Sequence, residues 1–337
     1  RKIVKKKYGN QREYKKKNAN ECTEILNKYG IVYLQHTQRT GKTLTALQIA
    51  QNIKSTKVIF ITKKKAINSI LSDFNDFNFN YELVVINYES IHKIKDKYDL
   101  CILDEAHSIG AFPKPSKRTK ILKEMFFNTK IIYLSGTPAS ESYSQWYHQF
   151  WISKNSPFKE YVNFYKYAKD YVIPKLIYTA YGQSNDYSNA KNDLISKRIE
   201  KVLHKFTQEE AGFKNVIVKK NIFIEMKPMT YKLINQLKKD KVIQGKSETT
   251  LADSGVKLMS KQHQLGSGTI IFDSGNTGII DNSKAVYIKE KFNGKLAIFY
   301  YFKQELEMLL DIFKDKATTD LNEFNTTDKH FIGQQYS

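Results

Sequence analysis

The chain has 337 residues, of which 55 are Lys or Arg and 34 are Asp or Glu, so its formal net charge is +21. This length allows two domains with ordinary hydrophobic cores and excludes a peptide or a fibre. The charge favours a polyanionic partner such as nucleic acid. A lysine-rich proteome from an AT-rich genome would give the same excess, and the many lysines and asparagines indicate a phage or a similar source.

The cysteines and the apolar runs indicate where the protein works. Cys22 and Cys101 are too few for a disulfide framework, so we expect a reducing compartment, the cytoplasm or nucleoid. The charged segment 1–17 offers no signal peptide, and runs such as LAIFYYF are too short to span a membrane. The histidines show no ligand spacing, so no zinc site is expected. Because the chain opens on Arg1, we expect part of the gene product to precede it.

Short apolar runs punctuated by helical patterns predict buried strands. In chain order they lie at 30–35, 58–62, 83–87, 100–105 and 131–136. Such runs predict an α/β fold with a parallel sheet covered on both faces. From 151 to about 215 the chain is rich in Tyr, Lys and Asn, with an amphipathic pattern at 194–203, which predicts a helical insertion. Strands and helices resume near 216. We therefore expect a first domain at 1–225 and a second, incomplete one at 226–337.

The segment HTQRTGKT, from His36 to Thr43, follows the first predicted strand and precedes the helix-forming run LTALQIAQNI. There, backbone amides and a helix amino terminus can face phosphate oxygens. Lys42 would reach the β- and γ-phosphates of ATP, and the Thr43 hydroxyl would hold Mg²⁺. The predicted ATP-binding residues are Gln38, Arg39, Thr40, Gly41, Lys42 and Thr43. His36 replaces the first glycine of the usual pattern, and a bare GKT also occurs by chance.

The segment YDLCILDEAHS places two carboxylates at the carboxyl end of a predicted strand, the edge where open α/β sheets bind ligands. Asp104 can hold Mg²⁺ through its water shell, and Glu105 can orient and deprotonate an attacking water. An ordinary transition from strand to loop would also explain two adjacent acids. The upstream GKT in the same predicted sheet favours an ATP hydrolase, because the two motifs need each other chemically.

These motifs resemble those of the superfamily 2 helicases, with DEAH at 104–107 and LSGTP at 134–138. Within that superfamily the chain looks most like the Swi/Snf-type ATPases. Their LREYQ and DEMGLGKT segments are similar to REYKKKN from Arg12 and to HTQRTGKT, with the same spacing, and they also lack the first glycine. The resemblance implies two RecA-like lobes, ATP and Mg²⁺ as cofactors, and ATP-driven translocation on double-stranded DNA.

The resemblance also implies roles for individual residues. It adds His107 to the catalytic set of Lys42, Asp104 and Glu105. The implied nucleic-acid contacts are Thr62, Lys63, Asn87 and Tyr88, and the residues implied to couple the γ-phosphate to nucleic acid are Ser135 and Thr137. Lys63 could instead belong to a solvated basic loop, and Ser135 and Thr137 could only cap the turn before Pro138.

The chain departs from the family pattern at two places. Lys15 stands where an adenine-reading glutamine is expected, with Gln11 nearby. The similarity of the second lobe ends at HFIGQQYS, so we expect the arginine finger to lie beyond Ser337. Two alternatives stay open, namely a strand-separating RNA or DNA helicase and a basic nucleic-acid-binding protein with a decayed ATPase core. The intact GKT and Asp-Glu pair argue against decay.

Overall fold

The computed structural model describes residues 13–179, 182–213, 220–245 and 247–335. The chain divides into two compact units, Arg1–Ile217 and Val218–Ser337. Several sequence features lie outside the described residues: Gln11, Arg12, the end of HFIGQQYS, and the point near 216 where strands were expected to resume. None of the described helices combines the length and apolar character needed to cross a lipid bilayer.

The first unit alternates strands with helices along most of its length. Its helices are α1 Glu13–Tyr29, α2 Lys42–Asn52, α3 Ile67–Asp76, α4 Lys117–Phe126, α5 Gln145–Trp151, α6 Phe164–Tyr171 and α7 Asn192–Ile199. Its strands are β1 Ile31–His36, β2 Lys57–Thr62, β3 Glu82–Asn87, β4 Leu100–Asp104, β5 Lys130–Leu134, β6 Lys175–Thr179, β7 Gly182–Asp186 and β8 Leu203–Phe206. Short 3-10 helices follow β2, β3 and β4 at Lys64–Ala66, Tyr88–Lys93 and Ala106–Ile109.

A six-stranded sheet in the order β3-β2-β4-β5-β1-β8 forms the centre of this unit. Every pairing in it is parallel. The five strands predicted from apolar runs are five of its six members, so the predicted α/β fold with a parallel sheet is confirmed. Because all strands run the same way, their carboxyl ends share one edge of the sheet, and the GKT loop and the Asp-Glu pair both follow that edge.

The central strands β1, β2, β4 and β5 are buried on both faces, which explains why they are apolar along most of their length. In β1, Val32 and Leu34 pack with α1 and α2 on one face, whereas Ile31 and Tyr33 pack with α4 and α5 on the other. All four side chains are fully buried. Successive strand residues point to opposite faces, so each run supplies both hydrophobic cores.

The predicted helical insertion at 151–215 is wrong in part, because the segment also contains three strands. β6 and β7 form an antiparallel hairpin, and β8 joins the central sheet beside β1, with Tyr33 opposite Leu203 and His36 opposite Phe206. The amphipathic pattern predicted at 194–203 ends as an α-helix at Ile199. The segment LHKF gave no strand signal, because this edge strand mixes apolar and polar residues and lacks the continuous apolar run of a central strand.

The second unit contains smaller sheets. Its helices are α8 Pro228–Asp240, α9 Gly255–Ser267, α10 Ser283–Lys291, α11 Lys303–Phe313 and α12 Leu321–Thr326. Its strands are β9 Val242–Gln244, β10 Thr249–Leu251, β11 Thr269–Ile271, β12 Thr277–Ile279, β13 Ala297–Tyr300, β14 Ala317–Thr318 and β15 His330–Gln334. Strands β9 and β10, and β11 and β12, form antiparallel pairs, whereas β13, β15 and β14 form a parallel sheet in that order. The predicted strand and helix within 295–313 correspond to β13 and α11.

Candidate active site

The GKT loop connects the carboxyl end of β1 to the amino end of α2. Gly41 is the residue before the helix and has φ 87° and ψ 33°, the left-handed conformation that glycine adopts without steric cost. Thr40 is buried, and its hydroxyl donates to the Thr37 carbonyl over 2.7 Å. Gln38 and Arg39 are exposed at the tip of the loop, and Thr43 is partly exposed in the first turn of α2. The loop therefore presents a helix amino terminus, which favours anions.

Lys42 reaches back across the loop. Its ammonium donates to the carbonyl oxygens of His36 and Thr37, at 3.0 and 3.3 Å. Burial lowers the pKa of Lys42, and the charges of Glu105 and Asp104 oppose that shift. The lysine is thus a cation held between the loop and the acidic pair, which is where a phosphate chain would need one.

Asp104 ends β4, and two hydroxyls fix its position. The Thr62 hydroxyl, at the end of the neighbouring β2, donates to Asp104 Oδ2 over 2.8 Å. The Tyr88 hydroxyl donates to the Asp104 carbonyl oxygen over 2.6 Å. Burial raises the pKa of Asp104, and the hydrogen bond from Thr62 opposes this shift. A partly desolvated, oriented carboxylate of this kind suits a hydrated Mg²⁺ ion.

A chain of polar contacts leads from Glu105 to the SGT segment after β5. Glu105 has φ 50°, so the chain turns sharply at this residue and the short helix Ala106–Ile109 follows. Glu105 Oε2 lies 3.3 Å from His107 Nδ1, which in turn lies 3.0 Å from Ser135 Oγ. Ser135 Oγ also accepts from the Thr137 backbone amide over 3.2 Å. Because β5 lies between β4 and β1, this chain runs from the acidic pair toward the strand that precedes the loop.

The four residues expected at a nucleic-acid surface divide into two kinds. The side chains of Thr62 and Tyr88 are buried, and their hydroxyls support Asp104 as described. Lys63 is exposed, and Asn87 is half-buried and donates to Glu89 over 2.8 Å. Of the four, only Lys63 and Asn87 therefore have side-chain surface that a large ligand could contact.

Lys15 lies against the GKT loop. A Cβ built on Gly41 would meet Lys15 Cε at 2.7 Å, so the lysine stem covers the glycine. From the sequence, Lys15 was recognised only as a departure from an expected glutamine. The sequence could not show that Lys15 places a second basic side chain, besides Lys42, at the loop. Its position beside Gly41 results from the packing of α1 on α2.

The assembled groups have the parts that phosphoanhydride hydrolysis needs. A helix amino terminus and Lys42 can hold phosphate charge, Thr43 and Asp104 can share a Mg²⁺ ion, and Glu105 can accept a proton from water. All of them follow the carboxyl ends of adjacent or nearly adjacent strands of one sheet. Their arrangement results from the parallel topology, which brings residues distant in sequence to one edge.

No family model and no curated protein matches the chain. Several solved structures are similar over most of their lengths, among them the Hef helicase domain of Pyrococcus furiosus, which is 11% identical, with 96% of this chain and 85% of that chain aligned and a TM-score of 0.44. A hypothetical ATP-dependent RNA helicase from Sulfolobus tokodaii is 12% identical, with 99% of this chain and 81% of that chain aligned and a TM-score of 0.34. S. tokodaii Xpd4 is 11% identical, with 96% of this chain and 80% of that chain aligned and a TM-score of 0.37. These scores are too low to establish a shared overall fold, so the architecture described above rests on the strands and their register.

Proposed function

We propose that the chain is a nucleic-acid-dependent ATPase of the superfamily 2 helicase type, which hydrolyses MgATP to move along duplex DNA. The observation that carries the proposal is that the GKT loop and the Asp104–Glu105 pair follow the carboxyl ends of β1 and β4, at one edge of the same parallel sheet. The choice of duplex DNA rests on the Swi/Snf-like sequence segments and on the net charge of +21.

In this mechanism each group has one task. Lys42 and the loop amides neutralise the β- and γ-phosphates. Thr43 and Asp104 are the residues that would hold Mg²⁺, which would supply further positive charge to the phosphates. Glu105 orients a water for in-line attack on the γ-phosphorus and accepts a proton from that water. The bond between the γ-phosphorus and the β–γ bridging oxygen breaks, which leaves ADP and phosphate. Groups fixed in this way before the reaction would reduce the reorganisation that opposes the transition state.

The contacts of His107 and Ser135 support a coupling role. A shift of Glu105 in response to the γ-phosphate would pass through His107 to Ser135 and to the Thr137 amide, over the 3.3, 3.0 and 3.2 Å contacts. Such a chain is a physical route between the nucleotide and the segment after β5. Lys63, Lys64 and Lys65 are exposed and follow the carboxyl end of β2. We propose that they contact the phosphates of DNA.

ATPase measurement with and without duplex DNA tests the proposal. We expect Mg²⁺-dependent hydrolysis that DNA accelerates. Hydrolysis without any response to DNA or RNA would contradict a nucleic-acid motor, and absence of nucleotide binding would contradict the site itself. A strand-displacement assay then distinguishes a translocase, which leaves the strands paired, from a strand-separating helicase.

Replacement of Ser135 by alanine should lower the DNA-stimulated ATPase rate by roughly tenfold, with a smaller fall in the DNA-independent rate, because about one hydrogen bond's worth of coupling is removed. Ser153→Ala is a matched control, since Ser153 is also buried and its hydroxyl accepts from the Asn155 amide over 3.2 Å, as Ser135 does from Thr137. Equal effects of the two substitutions on both rates would show that Ser135 has only a structural role.

DNA affinity should fall steeply with salt, because each lysine–phosphate contact releases condensed counterions and contributes about −0.9 to the log–log slope. Lys63→Ala should make the slope shallower by about one unit. Lys120, an exposed lysine on α4, supplies a control substitution of equal charge change. Fluorescence anisotropy of labelled duplex across a NaCl series measures the slopes, and a flat response in the unmodified protein would argue against nucleic-acid binding.

A further inference from the structure

A second polar cluster lies where β8 pairs with β1, on the side of the sheet covered by α1. Cys22 of α1, His36 of β1 and His204 of β8 each bring a potential donor atom within 4.8 Å of the other two. His36 Nε2 and His204 Nδ1 are 2.9 Å apart. Cys22 and His36 are fully buried. The cluster is thus an enclosed set of one sulfur and two nitrogen donors.

The hydrogen bonds of this cluster are incomplete. His204 Nε2 lies 2.9 Å from Glu21 Oε2, so its other nitrogen, Nδ1, faces His36. His36 Nδ1 is buried with no hydrogen-bond partner among the described residues, which is costly for a polar atom. A neutral imidazole can offer the lone pair of such a nitrogen to a metal ion.

We propose that Cys22, His36 and His204 bind a zinc ion, with the Glu21 carboxylate as an outer partner of His204. One thiolate and two imidazoles are a donor set that selects Zn²⁺ over hard cations such as Mg²⁺. In a tetrahedral zinc site, donor atoms lie about 3.3 to 3.6 Å apart. Small side-chain rotations would bring the three donors to that spacing.

The outer contact of Glu21 supports this assignment. Metal-bound histidines commonly donate their second N–H to a carboxylate, which fixes the tautomer and strengthens the ligand. If His204 binds zinc through Nδ1, its Nε2–H donates to Glu21 across the observed 2.9 Å. Zinc replaces the Cys22 thiol proton, which is released to solvent, and a water completes the fourth position.

The proposed ion is distinct from the Mg²⁺ of the ATPase proposal and does not depend on it. It would join α1, β1 and β8 directly beside the loop, because the His36 carbonyl accepts from Lys42 over 3.0 Å. Because zinc would bind the folded chain and not the unfolded chain, it would also raise the unfolding temperature of the protein. The hydrogen bond between the two histidines, without metal, is the competing explanation of the cluster.

Metal analysis of the full chain tests the proposal. The purified protein is depleted with a chelator, loaded with Zn²⁺ or Co²⁺, and freed of excess metal. We expect one tightly bound ion per chain and, with Co²⁺, the intense d–d and thiolate charge-transfer absorption of a tetrahedral cysteine site. Cys22→Ala should lose both signals. Cys101→Ala is the matched control, since Cys101 is also a fully buried thiol, and it should keep them.

Each result decides the proposal. Metal that stays at buffer levels in the unmodified protein, or cobalt without a thiolate band, overturns it, as does equal metal loss in the Cys22 and Cys101 variants. If circular dichroism shows that Cys22→Ala is unfolded, His204→Asn at the less buried position takes its place, and retained metal in that variant overturns the proposal. Lys42→Ala should keep the zinc even where it loses nucleotide, which separates this site from the ATPase site.

Discussion

Replacement of Glu105 by glutamine should leave ATP binding nearly unchanged while ATP hydrolysis slows by roughly 10²- to 10⁴-fold, the range attributed to a general base. The amide fills the same space, but it cannot accept the proton of the attacking water. The backbone at Glu105 is already left-handed, with φ 50°, and glutamine replaces glutamate there without a change in branching or length. The loss should therefore be chemical, with the fold and the phosphate contacts of Lys42 retained.

The measurement pairs a phosphate-release assay with binding of a fluorescent nucleotide. Glu89→Gln is the matched control, because Glu89 is exposed after β3 and its carboxylate pairs with Arg118 over 3.1 Å. We expect Glu89→Gln to hydrolyse ATP at the unmodified rate. If Glu105→Gln loses nucleotide binding together with turnover, Glu105 has a structural role through His107, and a hydrolysis rate equal to that of the control would exclude it as the base.

The sequence predicted the central sheet because its strands leave a strong local signal. Strands buried on both faces must be apolar at every position, so β1, β2, β4 and β5 stand out as continuous runs. The turn to Lys42 and the turn to Glu105 each follow such a run. Their spatial proximity then required only the rule that parallel strands place their carboxyl ends on one edge.

Contacts across the sheet left no comparable signal. Thr62 was expected to face nucleic acid, yet its hydroxyl donates to Asp104, because β2 and β4 are neighbours in the sheet order. The order of strands depends on packing over the whole unit and cannot be deduced from one run at a time. The sequence motifs therefore could not show which atom each of these side chains contacts.

The same reason explains why the sequence did not predict the proposed zinc site. Metal ligands can be recognised in a sequence when they lie a few positions apart, as in paired cysteines or histidines. Cys22, His36 and His204 come from a helix, a central strand and an edge strand that the sequence did not predict. Only the pairing of β8 with β1, with His36 opposite Phe206 and Leu34 opposite His204, brings the two histidines together.

Lys42 interacts with both halves of the proposed nucleotide site. Its ammonium bonds the His36 and Thr37 carbonyls of the loop and interacts electrostatically with Glu105 and Asp104. Burial lowers the pKa of Lys42, and a partly desolvated charge interacts more strongly with phosphate than one in bulk water. Removing it leaves the carboxylates without their counter-charge and the phosphates without their main cation.

Lys42→Ala should therefore weaken ATP binding by about a hundredfold or more, since a charge-assisted hydrogen bond is worth about 1.5 to 3 kcal/mol and every 1.4 kcal/mol is tenfold in affinity. Turnover should fall below detection, because the same charge stabilises the transferring phosphoryl group. Isothermal titration with ATP and Mg²⁺ measures the first effect, and a steady-state ATPase assay the second. Lys28→Ala, at an exposed position near the end of α1, removes an equal charge and should change neither. Unaltered binding and turnover in Lys42→Ala would remove the loop from the nucleotide site.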